Sequence, residues 1–300
     1  MASLTLYIAE RWQRLIQGCA LVLLLATAQP ATAEPTVTTL TYKQVGDEEL
    51  LLDVVVPEQV ETKEASESAD RSLPVVIVVH GGGWGSGDRK TMIAPVLETL
   101  TQAGCIYVSL EYRLSPQHRW PACLDDVQDG VAWTKDHIAE YGGDPDRIAI
   151  LGYSAGGQLA FWAAIRDTSP HRLKGLIGLA PTTDFLEDLG RRSGPSKALR
   201  DLMNCEQDES LAITLQRLYE ASPINYLHDK MPPILLIHGS ADRSVPLQQS
   251  VHIQQKIAEQ RWDVPCELYR IEGAPHRQSE WDQFDEGYKR KLREWLGKHL

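Results

Sequence analysis

The chain has 300 residues, 43% hydrophobic and 24% charged, a balance that excludes a disordered or collagen-like protein and suffices for a large α/β core. Its formal charge of −11 excludes a binder of nucleic acid, which needs a basic face for the phosphates.

Residues 1–33 stand apart. Arg11 and Arg14 precede the apolar run Cys19 to Ala28, and Ala31-Thr32-Ala33 has the small residues of a cleavage site. Ten apolar residues are few against the ~20 that span a bilayer. The segment therefore reads as a secretory signal peptide cut before Glu34, leaving residues 34–300 as one exported domain, periplasmic or extracellular, without membrane insertion. Cleavage removes Glu10, Arg11 and Arg14, which takes the formal charge to −12. It also leaves four cysteines, Cys105, Cys123, Cys205 and Cys266, an even number in a compartment where disulfides persist. Their spacing matches no metal site, and their pairing stays open.

TVTTLTYKQV and ELLLDVVVP, within residues 36–57, alternate as antiparallel strands at a sheet edge do, and the polar stretch Glu58 to Ser72 reads as a surface loop. Beyond it the pattern becomes strand, loop, helix. LPVVIVVH predicts a strand buried on both faces, followed by a helix over Thr91 to Ala103. CIYVSLEY precedes a helix from about Ala122 to Glu140, and RIAILGY precedes the helix that begins after Ser154. LKGLIGLA, PPILLIHG and CELYRI are further strands, with helices over Leu247 to Gln260 and about Ser279 to His299. Repeated βα units imply an α/β fold with a mostly parallel, doubly wound sheet. The excursion from Thr182 to Met231, with RRSGPSK and NCEQDES as loops, reads as a lid-like insertion over the carboxyl ends of the strands.

Gly152-Tyr153-Ser154-Ala155-Gly156 fits G-x-S-x-G at a strand-to-helix turn. There the glycines let strand and helix pass close to a serine whose hydroxyl is pushed out of the sheet. A serine hydroxyl needs an imidazole to take its proton, and the imidazole needs a carboxylate to fix its tautomer. The chain order of this motif places the acid and then the histidine after late strands. Asp242, after LLIHGSA, and His276, after CELYRIEGAP, occupy those places. Asp184, after LKGLIGLA, is the competing acid, and chain order favours Asp242. His238 lies at a strand end and reads as a packed or hydrogen-bonding residue. His80-Gly81-Gly82-Gly83-Trp84 follows the first buried strand, so Gly82 and Gly83, with Ala155, are the candidate oxyanion-hole donors. A phosphate-binding reading of this loop fails, because G-x-G-x-x-G fits no frame of GGGWGSGD and Asp88 stands where a phosphate-loop lysine would.

With HGGGW, YRLSP (Tyr112 to Pro116), GYSAGG, HGSAD and APH in this order, the chain resembles the α/β-hydrolase superfamily. Within it the chain is similar to the hormone-sensitive-lipase-like esterases, and most to compact bacterial carbohydrate-esterase and feruloyl-esterase-like (BD-FAE-like) members. The resemblance runs from about Thr38 to the C-terminus. It implies Ser154 as nucleophile, Asp242 and His276 as its partners, Gly82, Gly83 and Ala155 as oxyanion donors, and SPINY (Ser222 to Tyr226) closing the insertion. Pro275-His276-Arg277 departs from the small residues that flank such histidines, which predicts a stiffer loop and a more polar site. An insertion without a large apolar cap argues against long-chain lipids.

The function expected is hydrolysis of short-chain carboxylic esters, with short acyl esters placed first and acyl or feruloyl esters of plant carbohydrates second, requiring neither metal nor organic cofactor. Trp84, Tyr153, Trp162 and Tyr226 are candidate platforms for a sugar or phenolic group. A serine peptidase of the same fold and a non-catalytic binding module are the alternatives. The first usually carries a further domain, and the second would normally have lost a triad member.

Overall fold

Side chains alternating between two faces make β1 (Thr36–Val45) and β2 (Glu48–Val56) an antiparallel pair, as their sequence predicts. The computed structural model describes residues 35–58, 72–90, 94–192, 194–205 and 210–300. The proposed signal peptide, most of the loop at 58–72, the start of the helix expected from Thr91 and part of NCEQDES lie outside those residues.

β3 (Leu73–Val79), β4 (Ile106–Leu110), β5 (Gly143–Tyr153), β6 (Gly175–Leu179), β7 (Ile234–Gly239) and β8 (Cys266–Ile271) complete one sheet in the order β1-β2-β4-β3-β5-β6-β7-β8. The β2–β4 pairing is antiparallel and the five beyond it are parallel. The unbroken apolar run of β3 serves two cores at once. Val75, Ile77 and Val79 join one cluster, while Val76 and Val78 join the cluster on the opposite face. Each such side chain contributes about 1.5–3 kcal/mol on burial.

The first cluster takes in α2 (Ala122–His137), α3 (Ala155–Arg166) and α7 (Gln248–Glu259); the second takes in α1 (Ala94–Gln102) and α8 (Gly287–His299). The insertion contributes α4 (Phe185–Arg191), α5 (Lys197–Met203) and α6 (Leu211–Ala221). From β3 the chain passes to β4 on one side, then to β5 on the other, so the connections diverge at the carboxyl ends of β3 and β5. Open α/β sheets place their ligand crevice at such a divergence.

Four local differences from the sequence reading have physical causes. The last helix does not run unbroken from Ser279. A 3₁₀ turn spans Gln278–Gln283, and Asp285 Oδ1 then accepts from Gly287 N at 2.7 Å, so α8 starts only at Gly287. The helix from Ala122 ends at His137 and tightens into a 3₁₀ turn closed by Gly142 at φ 81°. β5 begins at Gly143, four residues before RIAILGY, because Gly143 pairs with Leu73. RRSGPSK is only partly loop, since Arg191 ends α4 and Lys197 opens α5. The four cysteines after residue 33 are free thiols, and burial pushes Cys105, Cys123 and Cys266 up to about 12. Among the described residues no helix is long and apolar enough to cross a membrane.

Candidate active site

Ser154 sits between β5 and α3 at φ 54°, ψ −116°, a conformation costing an L-residue roughly 1–3 kcal/mol. The surroundings hold it there. Its N–H donates to Leu179 O (2.9 Å), and its carbonyl accepts from Gly157 N (3.0 Å) and Thr182 N (3.2 Å). A Cβ on Gly156 would lie 2.2 Å from His80 O, so the first turn of α3 rests directly on the backbone leaving β3.

The late strands deliver the other two side chains. His276 Nδ1 donates to Asp242 Oδ2 at 2.6 Å, which leaves Nε2 to accept from Ser154 Oγ at 2.9 Å. Asp242 Oδ1 accepts from the amides of Ser244 (2.8 Å) and Val245 (2.9 Å). Burial raises the Asp242 carboxyl, but the bonds from His238 and His276 outweigh it and hold the group at about 2. The carboxylate is thus charged and fully buried, while the imidazole keeps an exposed edge. Asp184, the competing acid, instead caps α4 by accepting from the amides of Leu186 and Glu187.

His238 does more than pack. Its Nδ1 lies 2.8 Å from Ser250 Oγ, and its Nε2 lies 2.9 Å from Val245 O and 3.4 Å from Asp242 Oδ2. The ring therefore braces the turn that presents Asp242.

The glycine loop after β3 takes positive φ at Gly82 (111°), Gly83 (59°) and Trp84 (59°). Trp84 anchors it, donating through Nε1 to Gln158 Oε1 at 3.0 Å. At its base His80 is stacked on Tyr112 with centroids 4.2 Å apart, and Nδ1 bonds to Gly81 O at 2.7 Å. Burial lowers the His80 pKa, so the ring is a neutral structural group. The amides of Gly82, Gly83 and Ala155 donate to no acceptor among the described residues. All three residues border a cavity of about 300 Å³ that also exposes Ser154 and His276. Asp188 and Arg192, flanking the end of α4, and Ser196, Ala198 and Leu199 at α5 complete its wall.

The structure thus brings together Ser154, Asp242, His276, Gly82, Gly83 and Ala155. Of the four aromatic candidates, Trp84 and Tyr153 line the cavity, whereas Trp162 and Tyr226 lie against each other, tilted by 42° with centroids 4.9 Å apart, and are not among its lining residues. Arg277 does not make the site more polar, since its side chain is exposed beside Glu280. Sequence reasoning missed the Tyr153 hydroxyl bond to His276 O and the Gln158 anchor of Trp84. The variable position of G-x-S-x-G pointed to the first. A glutamine one turn into an otherwise apolar helix pointed to the second.

Among the described residues one cluster, Asp184, Glu187 and His252, has the donor set of a metal site. None of the three lines the cavity, and Asp184 is already engaged as a helix cap.

A doubly wound sheet with a nucleophile turn after β5, a histidine and acid after late strands, and free amides above them define an α/β-hydrolase. The chain belongs to the BD-FAE family, whose family model matches residues 63–257. It is 33% identical over 194 residues to the esterase LipQ of Mycobacterium tuberculosis (strain ATCC 25618 / H37Rv), which covers 60% of this chain and 44% of that protein. The match spans less than half the length of LipQ and of the probable carboxylic ester hydrolase LipM of the same organism. A truncated carbohydrate esterase from gut microbiota superposes with a TM-score of 0.72 at 21% identity, covering 89% of this chain and 98% of that one. An acetyl ester-xyloside bifunctional hydrolase from Caldicellulosiruptor lactoaceticus gives 0.69 at 20% identity, covering 88% and 97%. At such identity the likeness is one of fold.

Proposed function

We propose that this chain is a serine esterase of short-chain carboxylic esters, acting on acyl or feruloyl esters of carbohydrates. The observation that carries the reading is the continuous relay from Ser154 Oγ through His276 to Asp242, at 2.9 and 2.6 Å, opening into a cavity bordered by three free amides. The family membership and the names of the relatives support the ester class, and the carbohydrate esterases among the fold neighbours support a sugar-linked substrate.

In this mechanism Ser154 Oγ attacks the ester carbonyl carbon as His276 Nε2 takes its proton. Asp242 holds the imidazole with Nδ1 protonated and stabilises the imidazolium. The Gly82, Gly83 and Ala155 amides receive the developing oxyanion, where each donor contributes about 10²–10³ in rate. His276 then protonates the leaving alcohol, and water repeats the cycle on the acyl-enzyme. The same reading has residues 1–33 direct export and be removed, on the basis of Arg11, Arg14, the apolar run and Ala31-Thr32-Ala33.

The test is hydrolysis of 4-nitrophenyl acetate and its longer-chain analogues by residues 34–300, with Ser154→Ala alongside. Turnover of the short esters that disappears in the variant is expected. Equal rates for the two proteins, with no fluorophosphonate label on Ser154, would leave a binding module as the better account.

A further inference from the structure

The cavity wall at the end of α4 carries two charged side chains, Asp188 and Arg192, that a neutral ester does not need. Asp188 lies in the last turn of α4 and accepts at one oxygen, Oδ1, from Arg192 Nε (2.8 Å) and Arg191 Nη2 (2.9 Å). Two guanidiniums share one carboxylate, and the exposed Arg243 stands beside them through its carbonyl, which accepts from Arg191 Nη1 at 3.2 Å. The cavity lining itself carries one carboxylate, Asp188, and one guanidinium, Arg192, and with Arg191 the Asp188 cluster holds one cation more than it has anions.

Arg191 and Arg192 are not equivalent. Arg191 ties α4 to the turn after Asp242, bonding the carbonyls of both Arg243 (3.2 Å) and Ser244 (3.3 Å). Arg192 adds only a marginal 3.5 Å contact to Ser244 O, yet it is the one that lines the cavity. Its Nη1 donates to no group among the described residues, and two-fifths of its side chain remains exposed. Ser196 and Ser244 border the same wall. A planar guanidinium oriented by an acid through Nε, with an outer edge unengaged, is a receptor for a second carboxylate.

We infer that the preferred substrate carries a carboxylate close to its scissile ester and that Arg192 is the specificity-determining residue that binds it. This rests on the ester-hydrolase reading and specifies its substrate class as an acidic ester. A carboxylate on the alcohol, as in an acylated acidic sugar, and one on the acyl chain, as in a hemiester, present the same group to Arg192.

Two matched pairs separate these sources. 3-Acetoxybenzoate against 3-acetoxybenzamide places the charge on the alcohol. 4-Nitrophenyl hemiglutarate against its methyl ester places it on the acyl chain. The quantity read is the ratio of kcat/KM for the charged ester to that for its neutral partner, which within one sample cancels any loss of folded protein. In at least one pair the wild type is expected to favour the charged ester by about tenfold, the scale of one charge-assisted hydrogen bond. Arg192→Gln should abolish most of that preference, Arg192→Lys should retain part of it, and added salt should shrink it. A ratio near one in both pairs, or a preference that Arg192→Gln leaves intact, overturns the inference while the esterase reading stands. No turnover of any of the four esters, with no fluorophosphonate label on Ser154, overturns both.

Discussion

Tyr153 and His276 are joined twice: the phenol hydroxyl donates to the carbonyl oxygen of His276 at 2.8 Å, and the two rings stack with centroids 5.3 Å apart and planes 25° from parallel. The residue before Ser154 thus holds the backbone of the histidine proposed to activate it. Burial pushes the Tyr153 hydroxyl up to about 12, so it remains a donor at any working pH. Tyr153→Phe keeps the stack and removes the bond. Kinetics with a short-chain ester should show kcat lowered by up to about tenfold and KM little changed, the worth of one hydrogen bond.

Asp242→Asn preserves shape and removes the charge that fixes the His276 tautomer. The expected result is a fall in kcat of about 10³–10⁴ with substrate binding retained. In the wild type the carboxylate titrates at about 2, its depressed value giving stability that is complete above its ordinary 3.8 and lost only as pH falls toward 2. Down to about pH 4, therefore, protonation of Asp242 takes no part in any loss of activity. A plot of log kcat/KM against pH should show no limb steeper than unit slope there. A slope of two above that pH would mean that Asp242 is not the charged partner.

A methyl on Gly82 would lie 2.0 Å from Ser86 O, at a φ of 111° that L-residues rarely adopt. Gly82→Ala should displace the loop and reduce kcat by at least about 10² while labelling of Ser154 persists at a reduced rate. Full activity in this variant would remove the loop from the mechanism.

Gln158 is fully buried, accepting from Trp84 Nε1 and donating to Ala221 O at 3.0 Å. Gln158→Leu leaves the Trp84 N–H without an acceptor, at a cost of about 1–3 kcal/mol. Urea denaturation should register that loss, and the activity of the folded fraction should fall as well, since the loop carrying Gly82 and Gly83 loses its anchor.

Asp126 binds Arg113 through both oxygens (2.8 Å each) and Lys43 at 2.7 Å, joining α2 to β1 and to the segment after β4. Burial works to raise its carboxyl, but the two cations outweigh it and hold it below the ordinary 3.8. The stabilisation is therefore whole above that value and disappears as pH falls through the folded-state value. Asp126→Asn should cost about 3 kcal/mol at neutral pH, because it strands the Arg113 guanidinium while Lys43 keeps only Asp129, and should flatten the acid limb of stability against pH. Thermal melts of both proteins from pH 3 to 7 make the comparison.

The fold was legible because its strands are written twice, once in apolar runs such as VVIVV and once in the loops that follow them. The site was legible where chemistry demands a local spelling: Gly152 to Gly156 and His80 to Trp84 encode backbone geometry that few other residues satisfy. The choice between Asp242 and Asp184 needed chain order, and the structure shows the local reason, since Asp184 is spent as a helix cap. What composition and spacing did not disclose were contacts between side chains far apart in the chain. Tyr153 reaches across 123 residues to His276, and Gln158 across 74 to Trp84. The break before α8 was hidden for the opposite reason: it rests on a single aspartate capturing one amide, too small a signal against the helical periodicity around it.

The serine turn admits no added carbon at Gly152, Gly156 or Gly157, each pressed against main chain or Pro181. A floor so tightly closed cannot shift without displacing Ser154, so a change in what the cavity accepts must come through its walls. Those walls include Asp188, Arg192, Ser196 and Leu199, in and beside the short helices after β6, of which only Leu199 packs into the core. A library confined to those four positions samples new substrates while leaving the reacting atoms untouched.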